Sequence, residues 1–280
     1  MSGLLLAVDG DSLAHRAYHG IPKTVRGVGG RPVNALVGVA NFLMTLWDSE
    51  RPNSVLVGWD TLEEPTYRHE ALEAYQSGRE FEPSILEQLG VLPGLVESFG
   101  FAVGKHGGYE ADDFLAAGAA AWDGPVLVAT SDRDAFQLVS ERVTVLQPVR
   151  GVSELARIGP SEVRERYGVD PAQVPDFIAL RGDPSDRIPG APGIGPKKAA
   201  ELLAQYGSLE AMLAEGRFSN IAGELRLYRQ IATMDAGAPL PALGPTPPDW
   251  ARAAATATHL GMNALAGRLG ERLAAEGAGA

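Results

Sequence analysis

Residues 3–11 read GLLLAVDGD, an apolar run that stops abruptly at an acid and a glycine. A short run apolar at every position and closed by a turn signal fits a strand buried on both faces of a parallel sheet. The pattern recurs: SVLVGW at 54–59 ends at Asp60, GFAV spans 100–103, PVLVAT at 125–130 ends at Ser131-Asp132, and RVTVL spans 142–146. Between these runs, residues 34–47 and 110–122 carry helical spacing, 66–78 read as a polar helix, and 84–98 as a helix interrupted near Gly90 and Pro93. Strands alternating with helices predict an α/β domain with a mostly parallel sheet flanked by helices. Ligands of such sheets sit beyond the carboxyl ends of the strands. Asp9, Asp60 and Asp132 all fall at predicted strand ends.

Strand signals stop after residue 150. Residues 160–167, 171–181, 196–205, 208–214 and 222–233 read as short helices separated by Gly and Pro, and a Pro- and Ala-rich stretch precedes a last helix over about 249–275. The expected organisation is an α/β core over 1–158 and an all-helical module over 159–280. No apolar run is long enough to span a bilayer. The N-terminus has neither a basic region nor a cleavage site, so it reads as a strand rather than a signal peptide and makes the cytoplasm the default location. The absence of cysteine excludes disulfides and thiolate metal sites. A net charge of −11 argues against a uniformly basic nucleic-acid binder. Its distribution matters more: residues 10–34 carry Arg16, Lys23, Arg26 and Arg31 against Asp11 alone.

Acidic residues recur in clusters. Besides Asp9 and Asp60 there are Glu110, Asp112 and Asp113 at a helix start, Asp132 and Asp134 after a strand, and Asp183 and Asp186 after an apolar helix. Taken singly, each equally reads as a helix cap, a turn former or a favourable charge at a helix N-terminus. Together they suit a different purpose. Adjacent carboxylates repel unless a cation lies between them. Mg²⁺ takes oxygen ligands, often one or two carboxylates plus waters and phosphate oxygens. Two such ions roughly 4 Å apart can activate water and stabilise the leaving oxygen of a phosphoryl displacement. The five histidines, His15, His19, His69, His106 and His259, show no metal spacing.

GDPSDRIPGAPGIGPKKAAE at 182–201 places Gly193-Ile194-Gly195 between two predicted helices, with Lys197 and Lys198 opening the second. Such a turn reads equally as a plain Gly-rich connection or as a helix-hairpin-helix, over about 176–206, whose backbone N–H groups and lysines grip a phosphate backbone. The spacing of a P-loop is missing.

These stretches together resemble the bacterial and phage 5′-nucleases, a family that includes the 5′→3′ exonuclease domain of DNA polymerase I and its stand-alone relatives within the flap endonuclease superfamily. The resemblance runs from about residue 3 to about 235, on VDGDSLAHRAYH at 8–19, GWD at 58–60, YRHEALEAYQSGR at 67–79, GYEADD at 108–113, TSDRD at 130–134 and GDPSDRIPGAPGIGPKKA at 182–199. It implies a PIN-like nuclease core with a helical arch over about 67–90, and hydrolysis of DNA near a 5′ flap or 5′ end by a monomeric enzyme in replication and repair. It also implies two Mg²⁺ ions, replaceable by Mn²⁺, on Asp9, Asp60, Glu110, Asp112, Asp113, Asp132, Asp134, Asp183 and Asp186. Arg16 and Arg79 would help at the cut phosphate, Arg68 would line the arch, and Tyr75 would stack on a base. Gly193, Gly195, Lys197, Lys198 and Arg187 would contact DNA, and Gly193, Ile194 and Gly195 would hold K⁺.

Three positions depart from the family pattern. Gln76 stands where the family usually has lysine, which implies a slower chemical step or another helper, with Arg79 and Lys23 as candidates. Arg187 replaces an asparagine and Lys198 a threonine, both adding charge near DNA. A small PIN-type ribonuclease is an alternative, although such chains usually lack arch and hairpin. So is a junction-binding module that no longer cuts. The Ala- and Gly-rich end favours a stand-alone chain over the N-terminal piece of a polymerase.

Overall fold

The computed structural model describes residues 3–62, 64–78, 80–150 and 154–279. In chain order the elements are β1 (Leu5–Asp9), α1 (Gly10–Gly20), α2 (Asn34–Glu50), β2 (Ser54–Gly58), α3 (Tyr67–Ala71), α4 (Pro83–Ser98), β3 (Ala102–Gly104), α5 (Ala111–Ala121), β4 (Val126–Ala129), β5 (Val143–Arg150) and β6 (Glu154–Ile158). There follow α6 (Pro160–Tyr167), α7 (Val174–Arg181), α8 (Pro196–Tyr206), α9 (Leu209–Ala214), α10 (Ala222–Ala232), α11 (Trp250–His259) and α12 (Asn263–Gly279).

The sheet order is β3-β2-β1-β4-β5-β6, parallel except for the antiparallel β5–β6 pair at the edge. Every residue of β1, β2 and β4 is buried, the outcome expected of apolar runs covered on both faces. Alternation along β1 divides the core. Leu5 and Ala7 join one apolar cluster with Leu115 of α5 and with Val163, Phe177, Leu203 and Leu225 of the helical module. Leu6 and Val8 join the other, with Leu13, Leu36, Phe42 and Leu92. The helical module therefore shares its core with one face of the sheet.

The differences from the expected elements have local causes. Helix α1 is not evident in its polar sequence, GDSLAHRAYHG. It starts because the Asp9 side chain accepts from Ser12 N at 2.9 Å, capping the helix. A Cβ on Gly10 would lie 2.6 Å from the Trp59 ring, so the close approach of α1 to β2 requires glycine there. Helix α4 runs through Gly90 and Pro93 without interruption. The buried face of Ile85, Leu89, Leu92, Leu95 and Val96 outweighs the hydrogen bond lost at proline. Strand β6 was not expected after residue 150. It is short and lies at the edge, where pairing with β5 replaces the apolar signal.

The expected helix over 66–78 stops at Ala71, and residues 73–78 form turns. Within the expected arch of about 67–90, Arg68 and Tyr75 point into the body of the protein, each 3 % exposed. The single last helix is two, divided at Leu260–Met262, and this hairpin does not join the helical module. Trp250, Ala253, Ala257, Met262, Leu265 and Leu269 pack into the cluster under α2 and α4, and Trp250 meets Phe99 edge-on at 6.1 Å.

Candidate active site

The strand order reverses direction at β1, with β2 and β3 on one side and β4 and β5 on the other. Two neighbouring parallel strands whose connections leave in opposite directions open a crevice at their carboxyl ends. Asp9 closes β1 there, and Asp132 lies three residues beyond β4. Thr130 ties the two together: its hydroxyl donates to Asp9 Oδ2 at 2.6 Å and accepts from Asp132 N at 3.0 Å. Ser131 N donates to Ser12 Oγ at 3.1 Å, fixing α1 to the same point.

The crevice widens into a cavity of about 1340 Å³ lined by Asp9, Asp60, Glu110, Asp112, Asp132, Asp134, Asp183 and Asp186. Several are aimed by hydrogen bonds. Asp60 Oδ1 accepts from Ala111 N at 2.8 Å, tying the end of β2 to the start of α5. Glu110 accepts from Thr66 Oγ1 at 2.9 Å and Tyr75 Oη at 3.0 Å. Asp132 Oδ1 accepts from Asp134 N at 2.8 Å. Asp183 sits in the turn between α7 and α8, where Asp183 and Ile188 exchange backbone bonds of 2.8 Å. That turn depends on Gly190, with φ +75° and room for a Cβ only 2.4 Å from Gly182 N.

Burial pushes the Asp9 carboxyl up to about 7, with repulsion from Asp60 and Asp132 adding to it and bonds from Thr130 and Ser12 opposing it. Asp112 and Asp134 are held well above the usual carboxylate range by burial first and by Asp132 second. Glu110 is raised by burial, with the Arg68 charge opposing. The site thus gathers more negative charge than the chain neutralises, the electrostatic condition a cation relieves. Among the described residues no three His, Asp or Glu side chains are closed into an ion cage. The donor set fits a hard cation that keeps several waters and takes few carboxylates together with phosphate oxygens.

Several expected residues stand elsewhere. Asp113 does not line the cavity. It is fully buried, with its two oxygens engaged by Arg68 Nη2 at 2.7 Å and Nη1 at 2.9 Å, by Tyr67 Oη at 3.2 Å, and by Glu110 N and Asp235 N. Arg68, expected to face DNA, is the other half of that pair, and its Nε donates to Ile231 O at 2.9 Å. Tyr75, expected to stack on a base, lines the cavity although it is largely buried, and its hydroxyl donates to Glu110. Arg16 lies at the margin of the α1 face that supplies Asp11, Ser12 and His15 to the cavity, and does not line it. Arg79 lies outside the described residues. Gln76 lines the cavity, donating from Nε2 to Tyr75 Oη at 2.9 Å and to Asp186 Oδ1 at 3.2 Å. Lys197 lines it as well, whereas Gly193, Gly195, Arg187 and Lys198 are exposed outside it.

The reading of the sequence missed Asp11, whose Oδ2 accepts from Asp60 N at 2.7 Å, and the cations Arg133, Arg166 and Arg181. Asp11 and His15 were findable as the i and i+4 positions following a strand-end aspartate. Arg166 carried no signal of its own.

Residues 4–168 match the profile of the 5′-3′ exonuclease N-terminal resolvase-like domain, and residues 169–243 that of the 5′-3′ exonuclease C-terminal SAM fold. The chain belongs to the 5′-3′ exonuclease family. A 5′-3′ exonuclease of Streptomyces coelicolor is 35% identical over 292 residues, covering 95% of each chain. DNA polymerase I of Mycobacterium leprae is 41% identical over 215 residues, 75% of this chain and 24% of the polymerase. The thermostable DNA polymerase I of Thermus thermophilus is 43% identical over 215 residues, 75% of this chain and 25% of that one. The chain thus spans about a quarter of the polymerases' length. In fold it is similar to the T5 D15 protein co-crystallised with metal ions, at a TM-score of 0.66 and 19% identity, covering 96% of this chain and 98% of that one. The catalytic core of Rad2 in complex with DNA substrate shares the fold less closely, at a TM-score of 0.54 and 14% identity over 92% of this chain and 88% of the other. Family membership agrees with the mostly parallel sheet and the helical second half, and the profile boundary falls at the end of α6.

Proposed function

We propose that this chain is a structure-specific 5′-nuclease, hydrolysing DNA phosphodiester bonds at a 5′ end or 5′ flap. The observation that carries this is the convergence of nine carboxylates, Asp11 included, drawn from segments between residues 9 and 186, at the switch point of the sheet. They would hold two divalent cations, Mg²⁺ with Mn²⁺ as a substitute. Asp9, Asp60, Glu110 and Asp112 stand toward the sheet edge, Asp134, Asp183 and Asp186 toward the helical module, and Asp132 between, since it repels both Asp112 and Asp134. When bound, such a pair supplies a more acidic attacking water and charge stabilisation at the leaving oxygen.

The chain's own residues then act by positioning. Thr130 and Ser12 fix Asp9, and Asp132 is held by the turn it caps. Gln76 donates into the acidic cluster where the family pattern has a cation, so it orients Asp186 without offsetting charge. The turn containing Gly193, Ile194 and Gly195, with Lys197, Lys198 and Arg187 beside it, would grip duplex backbone, and carbonyls of that turn could hold K⁺. We place the enzyme in the cytoplasm, acting as a monomer in replication and repair.

A 5′-labelled flap substrate tests this. Wild type with Mg²⁺ should release short 5′ products, Asp132→Ala none, and Ca²⁺ should support binding alone. Binding in both ions without product in Mg²⁺ would instead favour a junction-binding module, for which the uncharged Gln76 is the supporting observation. The ratio of single nucleotides to flap-length products separates exonuclease from endonuclease action.

A further inference from the structure

The cavity is lined by cations and aromatic rings as well as by carboxylates: Arg166 and Tyr167 at the end of α6, Phe177 and Arg181 on α7, and Lys197 beside Glu201 on α8. Arg181, the last residue of α7, is held as a rigid group. Its guanidinium lies 5.3 Å from the Phe177 ring and 5.9 Å from the Tyr167 ring, and those rings stack on each other at 5.0 Å. Its Nη2 donates to Asp183 Oδ2 at 3.2 Å. Its Nε is buried with no hydrogen-bond partner, so the outer end of the guanidinium is what this side chain, 20 % exposed, presents to the cavity. Arg166 is positioned from the far side by Gln147, at 2.7 Å.

We propose that Arg181, together with Arg166 and Lys197, forms a phosphate subsite that takes a backbone phosphodiester of the bound DNA strand other than the one being cut. The proposal rests on the nuclease reading for the identity of the strand. A planar guanidinium presents paired donors that match two phosphate oxygens, and weak hydration makes arginine suited to a partly enclosed wall. The aromatic pair beneath fixes its plane before the ligand arrives, so little rotamer freedom is lost on binding. A phosphate here would lie on the α8 side of the cavity and hold the strand across the acidic floor. Arg181 is thus a positioning residue with a contact of its own, distinct from the groups at the scissile bond.

The test is binding of a 5′-overhang duplex in Ca²⁺ at salt from about 50 to 200 mM, with cleavage in Mg²⁺ run alongside. Arg181→Met should weaken binding about tenfold and lower the salt slope by about one charge. Arg181→Lys should keep the slope while losing several-fold in affinity, because the charge stays and the fork is lost. Arg226→Met, which removes an exposed cation on α10, should change neither. KM should rise more than kcat falls in Arg181→Lys. An unchanged slope in Arg181→Met with the thermal transition intact overturns the subsite and leaves Arg181 as a counter-charge to Asp183. Should Arg181→Met not fold, an Arg181→Lys variant with wild-type affinity and KM overturns it equally. If wild type binds but never cuts, the nuclease reading fails, while the comparison of slopes still decides the subsite.

Discussion

Arg68 and Asp113 face each other at 2.7 Å inside the protein, and neither reaches the cavity. Motif position alone would make the first a DNA contact and the second a metal ligand. Their burial makes them instead a tie between α3, α5 and, through Ile231 O, α10. Glu110, which does line the cavity, lies 3.3 Å from the same guanidinium. The pair therefore sets the position of a site carboxylate from behind.

Removing one partner of this pair leaves a buried charge uncompensated. Arg68→Met should cost about 3–5 kcal/mol of stability, read as a lower urea midpoint with unchanged slope. Adding Asp113→Asn should recover a substantial part of the loss, since the orphaned charge is then gone while an acceptor remains for the buried donors of Tyr67, Glu110 and Asp235. A loss of DNA affinity in Ca²⁺ without a loss of stability would return Arg68 to the DNA surface.

Asp132 repels Asp9, Asp112 and Asp134 in the absence of cations. Asp132→Asn preserves the acceptor for Asp134 N and removes the charge. Metal-free variant should be more stable than wild type at pH 8 by about 1 kcal/mol, the equivalent of roughly one pKa unit of relieved repulsion. The same variant should lose cleavage by at least about a hundredfold. Calorimetry and single-turnover cleavage check the two halves separately.

The stability of the metal-free protein should fall as pH rises. Asp9, at about 7, and Asp112 and Asp134, well above the usual range, bind protons in the folded state that the unfolded chain has released above about 4. Unfolding then releases protons, so stability is greatest below about pH 4 as far as these groups decide it, and declines toward pH 7 and beyond. Mg²⁺ binds the ionised forms and should raise the melting temperature more at pH 8 than at pH 5.5. Equal increments at both pH values would count against the buried carboxylates as the ligands.

Gln76 donates to Asp186 from a backbone with φ +48°. Gln76→Lys would place a cation in the same reach, offsetting charge where phosphate must enter. It should raise the single-turnover rate about fivefold, the equivalent of about 1 kcal/mol of barrier. A rate unchanged or lowered, with folding intact, would mean that glutamine is the better group for this chain.

Much of the architecture was legible because it follows from local patterns. Apolar runs closed by Asp9, Asp60 and Ser131-Asp132 fixed the parallel strands and their functional edge. What was illegible depended on partners distant in sequence. Nothing in YRHEA says that Arg68 will meet Asp113 rather than solvent, and Pro93 does not announce the packing that lets α4 continue through it. Strand β6 exists because β5 offers it an edge. Helices α11 and α12 look like any amphipathic pair until Trp250 finds Phe99.

The sequence by itself determined the strand order's raw material and the inventory of acids, since both reside in residue type and spacing along one strand or helix. Only the tertiary structure decided which acids share a cavity, because side-chain direction is set by packing against elements dozens of residues away. It also supplied the cations of the cavity: Arg181 becomes a neighbour of Asp134 and Asp183, and Arg166 a lining residue of the same cavity, only once the helical module has buried its apolar face against the sheet.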